Sequence, residues 1–331
     1  MTGGTGFIGQ NLVRNLLATG ENVRLLVRDI SALPPSMNSP LEIIQTNLLD
    51  QTSLTRALKG CSYLYHLASY ARNWAFDKNI FFKINVEGLR NILEASLNAG
   101  LKRVVYVSSS VVSGPSSDRP VAEETIRGNI PFFTEYQESK AQSEKIIPEY
   151  LRRNLEVVIA RPTRVFGPGR LSEANSVTKL IRFYLSYRVG LLLNQGQEIG
   201  NYVYVDDIVE GLKLIMARGR NGEAYILGGE NISLSGFYDL LEAVSGLKAL
   251  RIKIPASLAL AIARLESLKA RKFKIYPLIT EGWVKTFLQN WAFSHEKASR
   301  ELGYRPRNLK EGLKLTIDWL GWKPAIGKIY F

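Results

Sequence analysis

The sequence predicts an α/β protein: a doubly wound parallel sheet with a smaller, interleaved C-terminal lobe. Three observations predict it. Over the first 160 residues, short apolar runs alternate with amphipathic stretches, as strands alternate with the helices that cross over between them. A glycine-rich turn, "TGGTGFIG", leads straight into a helical pattern at the start of the chain. After Arg161 the rhythm changes to loops rich in Pro and Gly, mixed with short strand-like pieces. The sheet domain is therefore assigned to residues 1–165. Residues 166–331 are assigned mainly to the lobe, partly interleaved with the first unit.

The strands follow in order: "NVRLLV" (22–27), "LEIIQT" (41–46), "SYLYHLA" (62–68), "KRVVYVSS" (102–109) and "LEVVIA" (155–160). Each is an apolar run of strand length, as buried parallel strands are. Between them "QNLVRNLLAT", "TSLTRALKG", "NVEGLRNILEASLNA" and "YQESKAQSEKIIPEYLRRN" carry apolar residues at helical spacing. Beyond "RPTRVFGPG" come the helical "SVTKLIRFYLSY" and "DDIVEGLKLIMARG" and the strand-like "NYVYV" and "EAYIL". "PASLALAIARLESL" (255–268) is apolar on most faces yet too short to span a bilayer. A core or lobe-packing helix is expected there, with a helix lying on a membrane surface as the alternative.

Only Met1 and Thr2 precede the glycine turn, so the first strand, central in a doubly wound sheet, is missing. About five buried apolar residues at roughly 2 kcal/mol each would rival the stability of a whole domain. The expectation is that the natural product begins upstream or that this copy is poorly stable. Melting curves of this chain and an N-terminally extended one test it.

Composition narrows the function. A single cysteine, Cys61, excludes a disulfide framework and a thiolate metal cluster, and suits a reducing, cytoplasmic setting. With only His66 and His295 available, no histidine metal site is expected. No charged-then-apolar leader is read at the start. The net charge of +13 is uneven: 17 basic and 15 acidic residues lie in 1–160, and 26 and 15 in 161–331. The basic excess, including "KARKFK" (269–274), reads as a solvated face, with an anionic membrane surface or a phosphorylated ligand as the alternative. No nucleic-acid recognition module accompanies it.

The glycine turn suits a pyrophosphate. Gly3, Gly6 and Gly9 let backbone approach a ligand, and the amides of a helix start point at negative charge. The strand "NVRLLV" ends about twenty residues later, where a dinucleotide's ribose would be met. An acidic residue there would bind a ribose 2′-hydroxyl. This chain has Arg28, which can pair with a 2′-phosphate, so NADP is the expected cofactor, with NAD as the alternative.

"TEYQESKAQSEK" places Tyr136 and Lys140 four residues apart on one helix face. The strand "RVVYVSS" ends in Ser108–Ser110, at the sheet edge where a cofactor crevice forms. A phenol with an ordinary pKa near 10 gives up its proton reluctantly at neutral pH. A nearby ammonium, or the positive charge of an oxidised nicotinamide, would acidify it, while a serine hydroxyl fixes the same substrate oxygen.

Taken together, these segments resemble the extended short-chain dehydrogenase/reductase superfamily (the NAD-dependent epimerase/dehydratase family), with its Thr-Gly-x-x-Gly-x-x-Gly turn, upstream Ser and Tyr-x-x-x-Lys pair. "HLAS", "KINVEGLRNILEAS", "RPTRVFGPG", "NYVYVDDIVEGL" and "ASRELGYRPRNLKEGL" look like segments of its dihydroflavonol reductase-like and farnesol dehydrogenase-like members. The resemblance implies Ser109 as the catalytic serine, five residues before Gly114, with Tyr136 in the acid–base role and Lys140 holding the ribose. It implies cofactor contacts from Thr2, Gly3, Gly6, Phe7, Ile8 and Gly9, then Arg28, Ala68, Ser69, Lys140, Pro162 and Thr163. Asn47, followed by Leu48, stands where many members carry an aspartate facing adenine. Substrate contacts are implied for "SYARNW" (69–74), Phe132, Phe133, Arg164 and the lobe.

The implied function is hydride transfer between nicotinamide and an alcohol/ketone carbon of a small apolar molecule. The alternatives are a nucleotide-sugar epimerase/dehydratase that keeps its cofactor bound and, in another class, a non-catalytic dinucleotide-binding protein. The expected partners are a small-molecule substrate, a second copy in a homodimer and a membrane surface at the periphery.

Overall fold

A computed structural model describes residues 1–33 and 41–322; the last residues of the expected lobe, 323–331, lie outside that description. The chain begins with helix α1 (Phe7–Ala18), then β1 (Arg24–Val27), β2 (Glu42–Gln45), α2 (Gln51–Leu58) and β3 (Tyr63–His66). Helix α3 (Asn79–Phe82) runs through a π-turn (Lys83–Glu87) into α4 (Gly88–Asn98), followed by β4 (Arg103–Val107), α5 (Glu135–Leu151) and β5 (Glu156–Pro162). These elements fall on the expected segments.

The main sheet is parallel. One part has the order β3–β4–β5 and closes with β9 (Ala224–Leu227), while β1 and β2 form a separate parallel pair. Thr2 is the bridge between them, paired with Leu26 on one side and His66 on the other. It does so through backbone bonds: Thr2 N–H donates to Tyr65 (3.0 Å), and Leu67 N–H donates to Thr2 (3.2 Å). Thr2 therefore holds the position between β1 and β3, and the sheet is split on either side of it.

Strands β4 and β5 are buried on both faces, which explains their unbroken apolar runs. On β4, Val105 joins the core under α1 and α7 (Val205–Arg218), whereas Val104 and Tyr106 join the core under α2, α4 and α5. On β5, Val158 and Val157 divide the same way.

The smaller lobe draws on alternating pieces of the second half. The short β6 (Arg164–Phe166) precedes α6 (Ser176–Tyr187), β7 (Val189–Leu193) and β8 (Ile199–Tyr204). After β9 come β10 (Glu230–Ser233), α8 (Leu234–Ser245), β11 (Leu250–Ile254), α9 (Ala256–Phe273), α10 (Glu281–Phe287), α11 (Glu296–Leu302) and α12 (Leu309–Trp319). Strands β10, β8 and β6 form one small sheet and β7 and β11 another. Because β9 returns to the main sheet between β8 and β10, the lobe is interleaved with it.

Helix α9 packs in the lobe against α10, as expected, but its largest apolar side chains do not make the contact. Its buried residues are small, Ala259, Ala263 and Ala270, the first two packing beside Val284 with half-buried Leu260 against them. Leu258, Ile262, Leu265 and Leu268 point outward instead. An apolar composition does not say which side faces in, and here a close helix–helix contact selects the alanines.

Candidate active site

The glycine turn fits a pyrophosphate on its own geometry. Gly3 has φ +75°, and a Cβ there would lie 2.5 Å from Ala68 N. A Cβ on Gly9 would lie 2.1 Å from Gly3 O, so both positions need glycine for the turn to close. Gly6 caps α1 without any side-chain bond, which leaves the amides of Phe7 and Ile8 facing outward without an acceptor among the described residues. Phe7 offers only that amide, since its ring is buried in the core under α1. Thr2 is similarly committed, with its hydroxyl 2.7 Å from His66 Nδ1 and accepting from Ala68 N–H at 3.3 Å.

Around the turn, Arg28 is exposed at the end of β1. The neighbouring Asp29 carboxylate is engaged by the backbone and hydroxyl of Ser31 (2.9 and 2.7 Å). Asn47 spends its side-chain oxygen on Leu49 N–H (3.0 Å), and Leu48 O accepts from Asn91 (2.9 Å). Pro162 ends β5, and the Thr163 hydroxyl donates to buried Asn201 Oδ1 at 2.7 Å, tying the sheet's end to the lobe.

Helix α5 is held at its start by Thr134, which accepts from Gln137 N–H (3.2 Å) while Gln137 Oε1 accepts from Phe133 N–H (2.9 Å). This reciprocal cap fixes the first turn, and so fixes Tyr136 and Lys140 one turn apart on the inward side. Ser109 follows β4 in extended backbone (φ −161°, ψ 146°) and is half-buried, while Ser108 and Ser110 are buried. Of the three serines, Ser109 is the one whose hydroxyl acts on the Tyr136 phenol.

Burial pushes the Tyr136 phenol up to about 12, opposed by the Ser109 hydroxyl. Burial lowers Lys140 to about 7, opposed by the Glu144 carboxylate. Lys140 Nζ donates to Tyr106 Oη (3.0 Å) and to Val107 O (2.8 Å), not to Tyr136. The expected acidification of the phenol by this ammonium is therefore absent from the protein alone, because desolvation dominates both groups and two lysine donors are engaged elsewhere. An ammonium has three N–H groups, so one remains for a ligand hydroxyl.

Sequence reasoning missed two residues here. Tyr106 sits on β4, where its hydroxyl accepts a hydrogen bond from Lys140, and it reads in the sequence as one more core aromatic. Asn85, buried in the π-turn, accepts from Ser69 Oγ (3.1 Å) and Tyr70 N–H (2.7 Å) and donates to Ser139 Oγ (2.9 Å). It joins the Ala68–Ser69 loop to the helix bearing Tyr136. A π-turn inside a helix often marks a functional position, but its sequence gives no periodic signal.

The implied substrate residues divide. Trp74 O accepts from Tyr276 Oη (3.2 Å), and the Arg164 guanidinium lies 4.7 Å from the Phe287 ring centroid, both at the α9–α10 wall. Phe132 packs under Arg127 at 4.0 Å, and Phe133 joins a small core with Trp291.

Comparison with known proteins bears on this arrangement. The family model described as NAD dependent epimerase/dehydratase family matches residues 1–228. The chain belongs to that family. Among curated members, a putative dihydroflavonol 4-reductase of Synechocystis sp. is 32% identical over 96% of this chain and 93% of its own length. Sterol demethylase protein B of Methylococcus capsulatus is 28% identical over 96% and 97%. Among solved structures, gox2253 is 33% identical with a TM-score of 0.78, covering 97% of this chain and 96% of its own. DesIV, a dTDP-glucose 4,6-dehydratase of Streptomyces venezuelae with NAD and TYD bound, is 25% identical with a TM-score of 0.78, covering 97% and 95%. This member of the epimerase/dehydratase family is thus an enzyme of NAD(P)-dependent hydride transfer, with chemistry of the CH–OH type, acting on a small molecule.

Proposed function

We propose that this chain is a reductase or dehydrogenase exchanging hydride between nicotinamide C4 and the carbinol carbon of a small apolar alcohol or ketone. The observation that carries this reading is the placement of Tyr136: it stands one helical turn before buried Lys140 on α5, with the Ser109 hydroxyl at the end of β4 acting on its phenol. A dinucleotide supplies the hydride or accepts it. The protein's part is then one proton at one oxygen. A protonated phenol donates it to a ketone, and Ser109 holds and polarises that oxygen. Lys140 would hold the ribose with its remaining donor, and Gly3, Gly6, Phe7, Ile8 and Gly9 the pyrophosphate. In this reading residues 1–165 bind the dinucleotide, Ala68, Ser69, Pro162 and Thr163 border it, and the second half shapes the substrate pocket.

The relatives named for a dihydroflavonol and a sterol support an apolar ring system as substrate. The family description and DesIV support the second reading, a nucleotide-sugar epimerase or dehydratase. NADP is the preferred cofactor, since Arg28 is exposed while the Asp29 carboxylate is turned to Ser31.

Purified protein is assayed with NADPH against flavonoid and steroid ketones and against UDP- and dTDP-glucose. Net NADPH consumption with the ketones alone is expected. Dinucleotide that co-purifies, with sugar interconverted and no net cofactor consumed, selects the epimerase.

A further inference from the structure

Helix α9 turns its larger apolar side chains to water. Leu265 and Leu268 are 61% and 62% exposed, with Leu258 and Ile262 on the same face, and Phe273 at the helix end and Leu278 beyond it are exposed as well. Isolated exposed leucines are ordinary, but a contiguous helical face of them marks an interaction surface. The charges beside it that find no partner are basic. Arg264 is paired with Glu281 (3.4 Å) and Lys269 with Glu266 (2.6 Å), while Arg271, Lys272 and Lys274 make no ion pair among the described residues. No described helix is long and apolar enough to cross a membrane.

We propose that the outward face of α9 with its basic end docks this enzyme onto an anionic lipid bilayer. Leucine and isoleucine on one side of a helix with lysine and arginine at its border is the pattern that inserts shallowly at a headgroup boundary. The charge argues against a second copy as occupant: a two-fold contact would put Arg271, Lys272 and Lys274 of both copies into one interface with no free local acid to neutralise them. The local acids, Glu266 and Glu281, are already paired. A surface of anionic lipid complements these cations.

The docked face lies beside the substrate side of the molecule. Arg271 and Lys274 line a cavity of about 580 Å³ together with Trp74, Phe76 and Lys78. Tyr276, just beyond α9, bonds to Trp74 O and to Glu173 Oε2 (2.9 Å). Docking would therefore set the Trp74 loop at the interface, where an apolar ketone dissolved in lipid could enter without crossing water. That delivery role rests on the reductase reading; bilayer docking does not.

Flotation of the full chain with phosphatidylcholine vesicles, with and without phosphatidylserine, tests docking without any turnover. Salt-sensitive binding to the anionic vesicles alone is expected. Leu265→Glu is expected to weaken partitioning by about tenfold or more, and Lys272→Gln roughly fivefold. NADPH binding, followed by fluorescence, should stay unchanged in both and reports that the variants fold. Wild-type protein that floats with neither vesicle overturns the proposal. So does a dimer, seen by light scattering, that Leu265→Glu dissolves, because that gives the face to a second copy. Docking without ketone reduction leaves the membrane surface standing and refutes only the substrate reading.

Discussion

Lys140 and Tyr106 are joined by a 3.0 Å hydrogen bond in the interior of the sheet, Nζ donating to the phenolic oxygen. The lysine is 1% exposed, and burial has already lowered it to about 7. Removing the acceptor with Tyr106→Phe leaves less to stabilise the ammonium. Lys140 is expected to fall further, so the limb of the kcat profile that it sets moves to lower pH. The cost in folding stability is about 1–3 kcal/mol. A merely structural tyrosine would lower the melting temperature without moving that limb.

Tyr136→Phe removes the proposed proton donor and keeps the ring. Loss of roughly 10²- to 10⁴-fold in kcat is expected, with dinucleotide affinity within a few-fold of wild type. Stopped-flow turnover and fluorescence titration measure the two separately; an active phenylalanine variant removes Tyr136 from the mechanism.

Arg28→Gln probes the choice of cofactor. A charge-assisted bond to a 2′-phosphate is worth about 1.5–3 kcal/mol, so kcat/KM with NADPH should fall about 10- to 100-fold while that with NADH barely changes. Equal losses with both cofactors would assign Arg28 to the adenine or to folding.

His66 makes stability depend on acid. Burial, helped by the positive charges of Lys140 and the N-terminus, lowers it from 6.5 to about 3. Between those values the unfolded chain binds a proton that the folded protein refuses. Its contribution to stability is thus complete above about 6.5 and is lost as pH falls toward about 3. Melting temperatures from about pH 8 to about pH 4 should decline, by at most roughly 1.4 kcal/mol per pH unit from this group. His66→Gln should flatten the decline; an unchanged slope assigns it to carboxylates.

Much of this was legible in the sequence because parallel strands and their crossover helices are written in local patterns. The run around Val104–Val107 is apolar on every residue since both faces are covered, and the glycines at 3 and 9 are required by backbone contact that no other residue permits. The spacing of Tyr136 and Lys140 likewise put them on one face. What could not be read depends on partners far apart in the chain. The donors of Lys140 go to Tyr106 and Val107 on a strand more than thirty residues earlier, and Asn85 acts through Ser69 and Ser139. The orientation of α9 was hidden for the same reason: leucine and alanine compete for the inside, and the approach of α10 decides.

A Cβ on Gly282 would stand 2.3 Å from Phe133 O, so the start of α10 is pressed backbone to backbone against the residues that launch the Tyr136 helix. Gln137 reaches Thr286 across the same seam (3.1 Å). Pocket shape and reaction chemistry are consequently not interchangeable modules in this chain. A chimera that borrows residues 256–290 from a relative to change substrate must bring that relative's 131–137 with it, or the grafted wall will reset the angle at which the phenol meets its substrate.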